Sequence, residues 1–279
     1  MKINKIYWII GIVALGIGII FYNKKSVQQI KTIHSFNEVD FNAINKDTLV
    51  IFDVDETLIQ PVDMYPINES STQAQAIKKK LRESHPEIKD WGIYEDILIK
   101  QVQRPLLEPM IIEKINALQK MGVIVIAVTA MNTGKYGRYD RLEHWRYEHL
   151  ASFGFEGAFN DLIIDFEANN KKPVFYKGIL ATDLSPKGPA LFSFLDRIKH
   201  LPKKIIMFDD NINFLESVQM ASAQRGIPFQ GYLYKGAREK VWDQDLIEMQ
   251  IEHLLYHKRW LSDEQAYELM KSAVVPACS

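Results

Sequence analysis

Three short, unbroken apolar runs constrain this chain more than any other feature. They are residues 49–52 (LVIF), 123–128 (VIVIAV) and 204–208 (KIIMF). A run of this length without polar alternation is the pattern of a strand buried on both faces. Each run has helical sequence beside it. Residues 110–121 place Ile111, Ile112, Ile115 and Leu118 at helical spacing, and Gly122 follows as a stop. Residues 188–200 precede the third run and 211–225 follow it, both with helical periodicity. Strands alternating with helices predict an α/β fold, a Rossmann-like three-layer arrangement around a parallel sheet.

Two stretches interrupt the alternation. Residues of about 60–108 separate the first strand from the helix leading to the second, a span long enough for a small helical cap. One helix is expected around 71–84 and another around 91–103. Residues 155–186 carry apolar pieces at 162–166 and 174–182, read as a hairpin or an added strand pair. Near the C-terminus, 239–255 is amphipathic, and Ser262-Asp-Glu-Gln265 has the form of a capping box opening a last helix.

The N-terminus differs in composition. Residues 6–22 are uncharged and mostly apolar, with Lys2 and Lys5 before them and Lys24 and Lys25 after. A bilayer-spanning helix needs roughly 17–25 such residues, so 1–25 is read as a signal-anchor or transmembrane helix, 26–46 as a tether, and 47–279 as the catalytic domain. A cleaved signal peptide is the rival reading, without a clear small-x-small site to support it; a buried soluble helix is the other. Lysines on both flanks make the positive-inside rule a weak guide, and the very short leading segment favours a domain on the exported side. The net charge of −1 gives no basic excess of the kind nucleic-acid binders carry. The one cysteine, Cys278, excludes an intrachain disulfide and a multi-cysteine metal site.

Four features fall at the C-terminal ends of predicted strands or close to that edge, where open α/β sheets place their ligands. The first is Asp53-Val-Asp55-Glu-Thr57. One carboxylate there can attack phosphorus and form an aspartyl-phosphate; an acid two residues on can protonate the leaving oxygen and then deprotonate a water. The second is Thr129 with Ala130, whose hydroxyl and backbone N–H groups suit phosphoryl oxygens. The third is Lys187, in Ser-Pro-Lys-Gly, an ammonium that can offset charge on nucleophile and phosphoryl group. The fourth is Asp209-Asp210, hard carboxylate oxygens suited to Mg²⁺.

In this order, DVDET, VTA, the lysine of SPKGPAL and FDDNINFLESV resemble the motifs of the haloacid-dehalogenase superfamily of phosphatases and phosphotransferases, over roughly residues 48–234. Within it the chain looks most like an uncharacterised bacterial branch with kinship to exported acid phosphatases. The resemblance implies Asp53 as nucleophile, Asp55 as acid/base, and Thr129 and Lys187 on the phosphoryl group. It implies Mg²⁺ on Asp53, the backbone carbonyl of Asp55 and Asp209, with Asp210 direct or through water. Dehalogenase members lack the acid at position 55 and P-type ATPases carry threonine there, so Asp55 points to phosphate esters. Asn213 stands where many members have a further acid, leaving the site one negative charge short.

The expected activity is hydrolysis of a small phosphomonoester. Phosphotransfer on the same residues, and a catalytically silent membrane-tethered module on the same fold, are the alternatives. Each residue also has a plainer reading. Thr129 could cap a helix, Lys187 could be solvated, and Asp210 could cap the helix starting near Asn211. Lys135, Arg138 and Arg141 read better as a solvated face than as a second anion site. Tyr232 and Tyr234 read as strand packing; Trp91 and Tyr94 fit either a substrate pocket or the core of a cap. His144 and His149 have no metal spacing and receive no role.

Overall fold

The computed structural model describes residues 28–67, 71–239 and 241–274. The predicted anchor over 6–22 lies outside the described residues. Among those described, no helix is long and apolar enough to cross a membrane.

Eight strands form one sheet: β1 Gln28–Ile33, β2 Thr48–Phe52, β3 Ile124–Thr129, β4 Ile163–Asp165, β5 Val174–Tyr176, β6 Ile179–Ala181, β7 Lys204–Asp209 and β8 Phe229–Tyr234. Their order is β1-β8-β7-β2-β3-β6-β5-β4. The pairings from β1 through β6 are parallel, while β6–β5 and β5–β4 are antiparallel. The sheet is therefore mixed: to the expected parallel sheet the second interruption adds antiparallel strands, as the expected hairpin or strand pair would. Lys177 and Gly178, both at positive φ, turn the chain between β5 and β6, so the piece expected over 174–182 folds as two strands of a tight hairpin.

The three apolar runs became β2, β3 and β7, side by side at the centre. Alternate side chains of each strand enter opposite cores. Val50, Phe52, Val125, Ala127, Ile206 and Phe208 pack on one face with helices α3 (Ile111–Lys120) and α4 (Leu142–Ala151). Leu49, Ile51, Ile126, Val128, Ile205 and Met207 pack on the other with α5 (Lys187–Arg197) and α6 (Ile212–Gln224). Burial on both faces is why these runs lack polar alternation. From β2 the chain steps to β3 in one direction, and later to β7 in the other, so the sheet reverses its winding beside β2, the place where such folds open a crevice.

Within the stretch 26–46, expected as a tether, residues 28–46 belong to this domain. They contribute β1, paired in parallel with β8, and two short turns that send Phe36 and Phe41 into the core. Phe36 stacks on Tyr234 at 4.7 Å and meets Phe52 and Phe208 edge-on. Tyr232 stacks on Phe208 at 4.9 Å, so both tyrosines of β8 serve packing.

The cap also has more parts than expected. Helices α1 (Thr72–Ser84) and α2 (Gly92–Gln101) come from the insertion. They share an apolar cluster with α7 (Gln244–His257) and α8 (Asp263–Val274), including Ile77, Tyr94, Val102, Leu246, Ile251 and Trp260. Trp91 and Tyr94 lie in this cluster, 5.5 Å apart, as packing residues of the cap. The expected capping box is present: Gln265 N donates to Ser262 Oγ at 3.2 Å, and Ser262 N to Gln265 Oε1 at 3.1 Å. Polar contacts that join cap and sheet domain include two pairs. The Gln60 amide pairs with the Arg238 backbone, at 2.6 and 3.0 Å. Asp96 of α2 accepts the Arg138 N–H on both oxygens, each at 3.0 Å.

Candidate active site

Asp53 follows directly on β2, and its N–H donates to Phe208 O at 2.8 Å, extending the pairing with β7 by one bond. The chain then turns back tightly. Leu58 N and Ile59 N both bond to Val54 O, at 2.9 and 3.0 Å, and Glu56 takes the left-handed backbone (φ 62°) that closes the turn. Asp209 ends β7 next door, and Lys187 is the first residue of α5.

These three side chains converge. The Lys187 ammonium, fully buried, donates to Asp53 Oδ1 and, at 2.6 Å, to Asp209 Oδ2. Asp210 adds a third carboxylate, so that one oxygen each from Asp53, Asp209 and Asp210 lies within 4.8 Å of the others. Asp210 does not cap a helix; Asn211 does, accepting the Asn213 N–H at 3.0 Å. The Asp210 N–H donates instead to Thr57 Oγ1 at 3.1 Å. Asn213 itself is exposed on the first turn of α6.

Asp55 forms the second half of the site. Thr129 Oγ1 donates to Asp55 Oδ2 at 3.3 Å and accepts the Met131 N–H at 3.3 Å. Thr129 caps no helix, since α4 begins only at Leu142. Ala130 follows on the strand end, its carbonyl accepting the Leu184 N–H at 3.0 Å. One contact was not expected from the sequence. Arg146 of α4 places Nη2 at 2.8 and 3.0 Å from the two Asp55 oxygens. Its signal was a charged residue one turn from each of Leu142 and Leu150, both buried, on the inward stripe of a helix. Arg138 lies instead against Asp96, and Arg141 against Asp165 and Glu143.

The electrostatics follow from burial. Three ionised carboxylates facing one ammonium leave two negative charges in excess in a poorly solvated pocket. Burial pushes Asp53 up to about 7, against the lowering effect of Lys187, and the charge on Asp209 adds to the rise. Burial likewise raises Asp210 to about 6, helped by Asp53. Glu56, its carboxylate 2.6 Å from the Gln60 amide, rises to about 7, chiefly from burial. Lys187 is raised by its two carboxylate partners, whose attraction outweighs the desolvation of its charge. Uncompensated buried carboxylate is what a hard divalent cation neutralises, and the donor set, oxygen only, fits Mg²⁺.

Comparison with known proteins places the chain among bacterial relatives. A Rickettsia felis protein is 29% identical over 208 residues, 69% of each chain. A Chlamydia trachomatis protein carrying the name "Putative outer membrane protein" is 24% identical over 251 residues, 86% of this chain and 89% of its own. Among solved structures, the chain is similar to a HAD family hydrolase from Salmonella enterica serovar Typhi, with 12% identity, 68% of each chain covered and a TM-score of 0.34. It is also similar to the HAD domain of effector protein Lem4 from Legionella pneumophila, an inactive mutant, with 13% identity, 82% of this chain and 98% of that one covered, and a TM-score of 0.36. A family model described as "Protein of unknown function (DUF2608)" matches residues 27–267, and the chain belongs to that family.

Proposed function

We propose that this protein is a Mg²⁺-dependent phosphomonoester hydrolase of the haloacid-dehalogenase type, acting through an aspartyl-phosphate on Asp53. The observation that carries the reading is the buried Asp53–Lys187–Asp209 arrangement at the sheet's C-terminal edge, with Asp210 and Asp55 beside it. Asp53 attacks phosphorus in line with the departing oxygen. Asp55 gives its proton to that oxygen, then takes one from the water that releases phosphate. Lys187 holds Asp53 in place and offsets charge on the transferring group. Thr129 and the backbone N–H groups near Ala130 would turn to phosphoryl oxygens when substrate binds. Asp53, Asp209 and Asp210 would hold the metal, which supplies shielding between a carboxylate nucleophile and a dianionic phosphate.

The test uses a panel of aryl and alkyl phosphates with Mg²⁺ and with a chelator. The wild type is expected to release phosphate only with the metal. Asp53→Asn is expected to release none while keeping the wild-type circular dichroism spectrum. Phosphate release by Asp53→Asn, or metal-independent release by the wild type, overturns the mechanism.

A further inference from the structure

We infer that Arg146 is the positioning residue for Asp55, holding the proton-shuttling carboxylate toward the leaving oxygen; the inference rests on the phosphomonoesterase reading. Asp55 sits on the lip of the site, with 44% of its side chain exposed. A carboxylate in that situation has two free torsions and solvent to turn into. Arg146 removes that freedom, because one nitrogen, Nη2, reaches both carboxylate oxygens. The guanidinium is itself fixed. It is 5% exposed, and its centre lies 4.8 Å from the Trp145 ring. Thr129 is the other group on the same carboxylate, and a hydroxyl that turns to a phosphoryl oxygen leaves Arg146 as the constant partner.

Stability alone does not account for this arginine. Its Nε and Nη1 are buried and have no hydrogen-bond partner among the described residues. A buried cation matched on one nitrogen only is costly, and an apolar residue would fill the inward stripe between Leu142 and Leu150 more cheaply. What the cation provides at this position is the orientation of Asp55. Pre-organising an acid in this way matters where the departing oxygen must receive a proton. As the Asp53 oxygen–phosphorus bond forms and the phosphorus–leaving-group bond breaks, the electron pair of the broken bond goes to the leaving oxygen. That oxygen takes the proton of Asp55. A leaving group that is stable as an anion needs no such proton.

The experiment measures kcat/KM for aryl phosphates of matched size and graded leaving-group acidity, from 4-nitrophenyl to 4-methylphenyl phosphate, with the full-length chain and Mg²⁺. The wild type should depend weakly on the leaving group. Arg146→Met should lose about 10²-fold on the poorest leaving group, the scale of a general acid's contribution, and at least about tenfold less on 4-nitrophenyl phosphate. An equal loss across the series overturns the positioning role while leaving the hydrolase reading intact. A wild type inactive on the whole series overturns both. If Arg146→Met does not fold, Arg146→Lys, which retains the buried charge, should show the same bias in smaller measure. A double-mutant cycle of Arg146→Met with Asp55→Asn, read by thermal unfolding, should show non-additivity; additivity means that the contact is not made and overturns the proposal.

Discussion

At the scale of single residues, the molecule is organised around charge in a dry place. Lys187 is enclosed by two carboxylates with its side chain fully buried. Replacing it with methionine leaves Asp53 and Asp209 facing each other uncompensated. Breaking a buried pair in this way costs about 3–5 kcal/mol. Urea unfolding in chelator should show Lys187→Met destabilised by about that much, and Mg²⁺ should narrow the gap, because a cation on the same carboxylates in the folded state would offset the charge that the ammonium no longer offsets. His149 gives a pH-dependent counterpart. Burial, with Arg146 and Arg104 nearby, lowers it from 6.5 to about 4. The folded state therefore resists protonation where the unfolded state accepts it. This contribution penalises stability progressively as pH falls from about 6.5 to about 4, and is absent above that window. The buried carboxylates with raised pKa act in the opposite direction, so the informative quantity is a difference. His149→Phe, which keeps the stack on Trp145, should lose less stability than the wild type between pH 7 and pH 4 in parallel thermal melts. Parallel slopes would refute the assignment.

At the scale of elements, the site depends on how closely α5 and α6 approach. Gly188, next to Lys187, faces the backbone of Ser217. A Cβ there would overlap the Ser217 carbonyl, and Gly188 N donates to Ser217 Oγ at 3.0 Å. Two helices this close cannot accommodate a methyl group without moving apart. Gly188→Ala should destabilise by about 1–3 kcal/mol, the range for overpacked contacts. It should also strengthen Mg²⁺ binding, because shifting α5 draws the Lys187 ammonium away from the Asp53 and Asp209 carboxylates that a cation would share. Calorimetric titration with Mg²⁺ reads the second effect; unchanged affinity with reduced stability would separate the helix contact from the site.

At the scale of the whole molecule, the cap is built from two distant parts of the chain. Trp260 connects them. It lies near Tyr65 with ring centroids 5.9 Å apart, and its Nε1 donates to Asp63 Oδ2 at 2.8 Å. Asp63 also accepts the Asp263 N–H, at 3.1 Å. Trp260→Ala removes a buried aromatic side chain and leaves Asp63 short of a donor. A loss of about 3–5 kcal/mol is expected, localised to the cap. Limited proteolysis should then cut within 71–101 and 244–274 while the sheet domain survives. Cleavage spread evenly over the chain would instead mean that cap and sheet unfold as one unit.

The sequence by itself determined the central layer and several of the residues gathered at its edge. Burial on both faces demands unbroken apolar strands, and a strand that ends in the site ends in a polar residue, so β2, β3 and β7 and the residues Asp53, Thr129 and Asp209 were legible from local pattern. Lys187, which alone reads as a solvated lysine, was legible only from its place in order among the other three motifs, and the last helix from its capping box. The tertiary structure decided what depends on contacts far apart in the chain. Residues 26–46 read as a tether because mixed polar sequence suits an edge strand equally well, and only the pairing with β8 separates the two. The C-terminal helices read as amphipathic, but nothing local names the partner of an apolar face; here it is the insertion, some 150 residues earlier in the chain. Arg146 shows the same limit at the site. An arginine among leucines signals that something unusual is buried, and only folding, which brings α4 over the turn after β2, identifies Asp55 as its counter-charge.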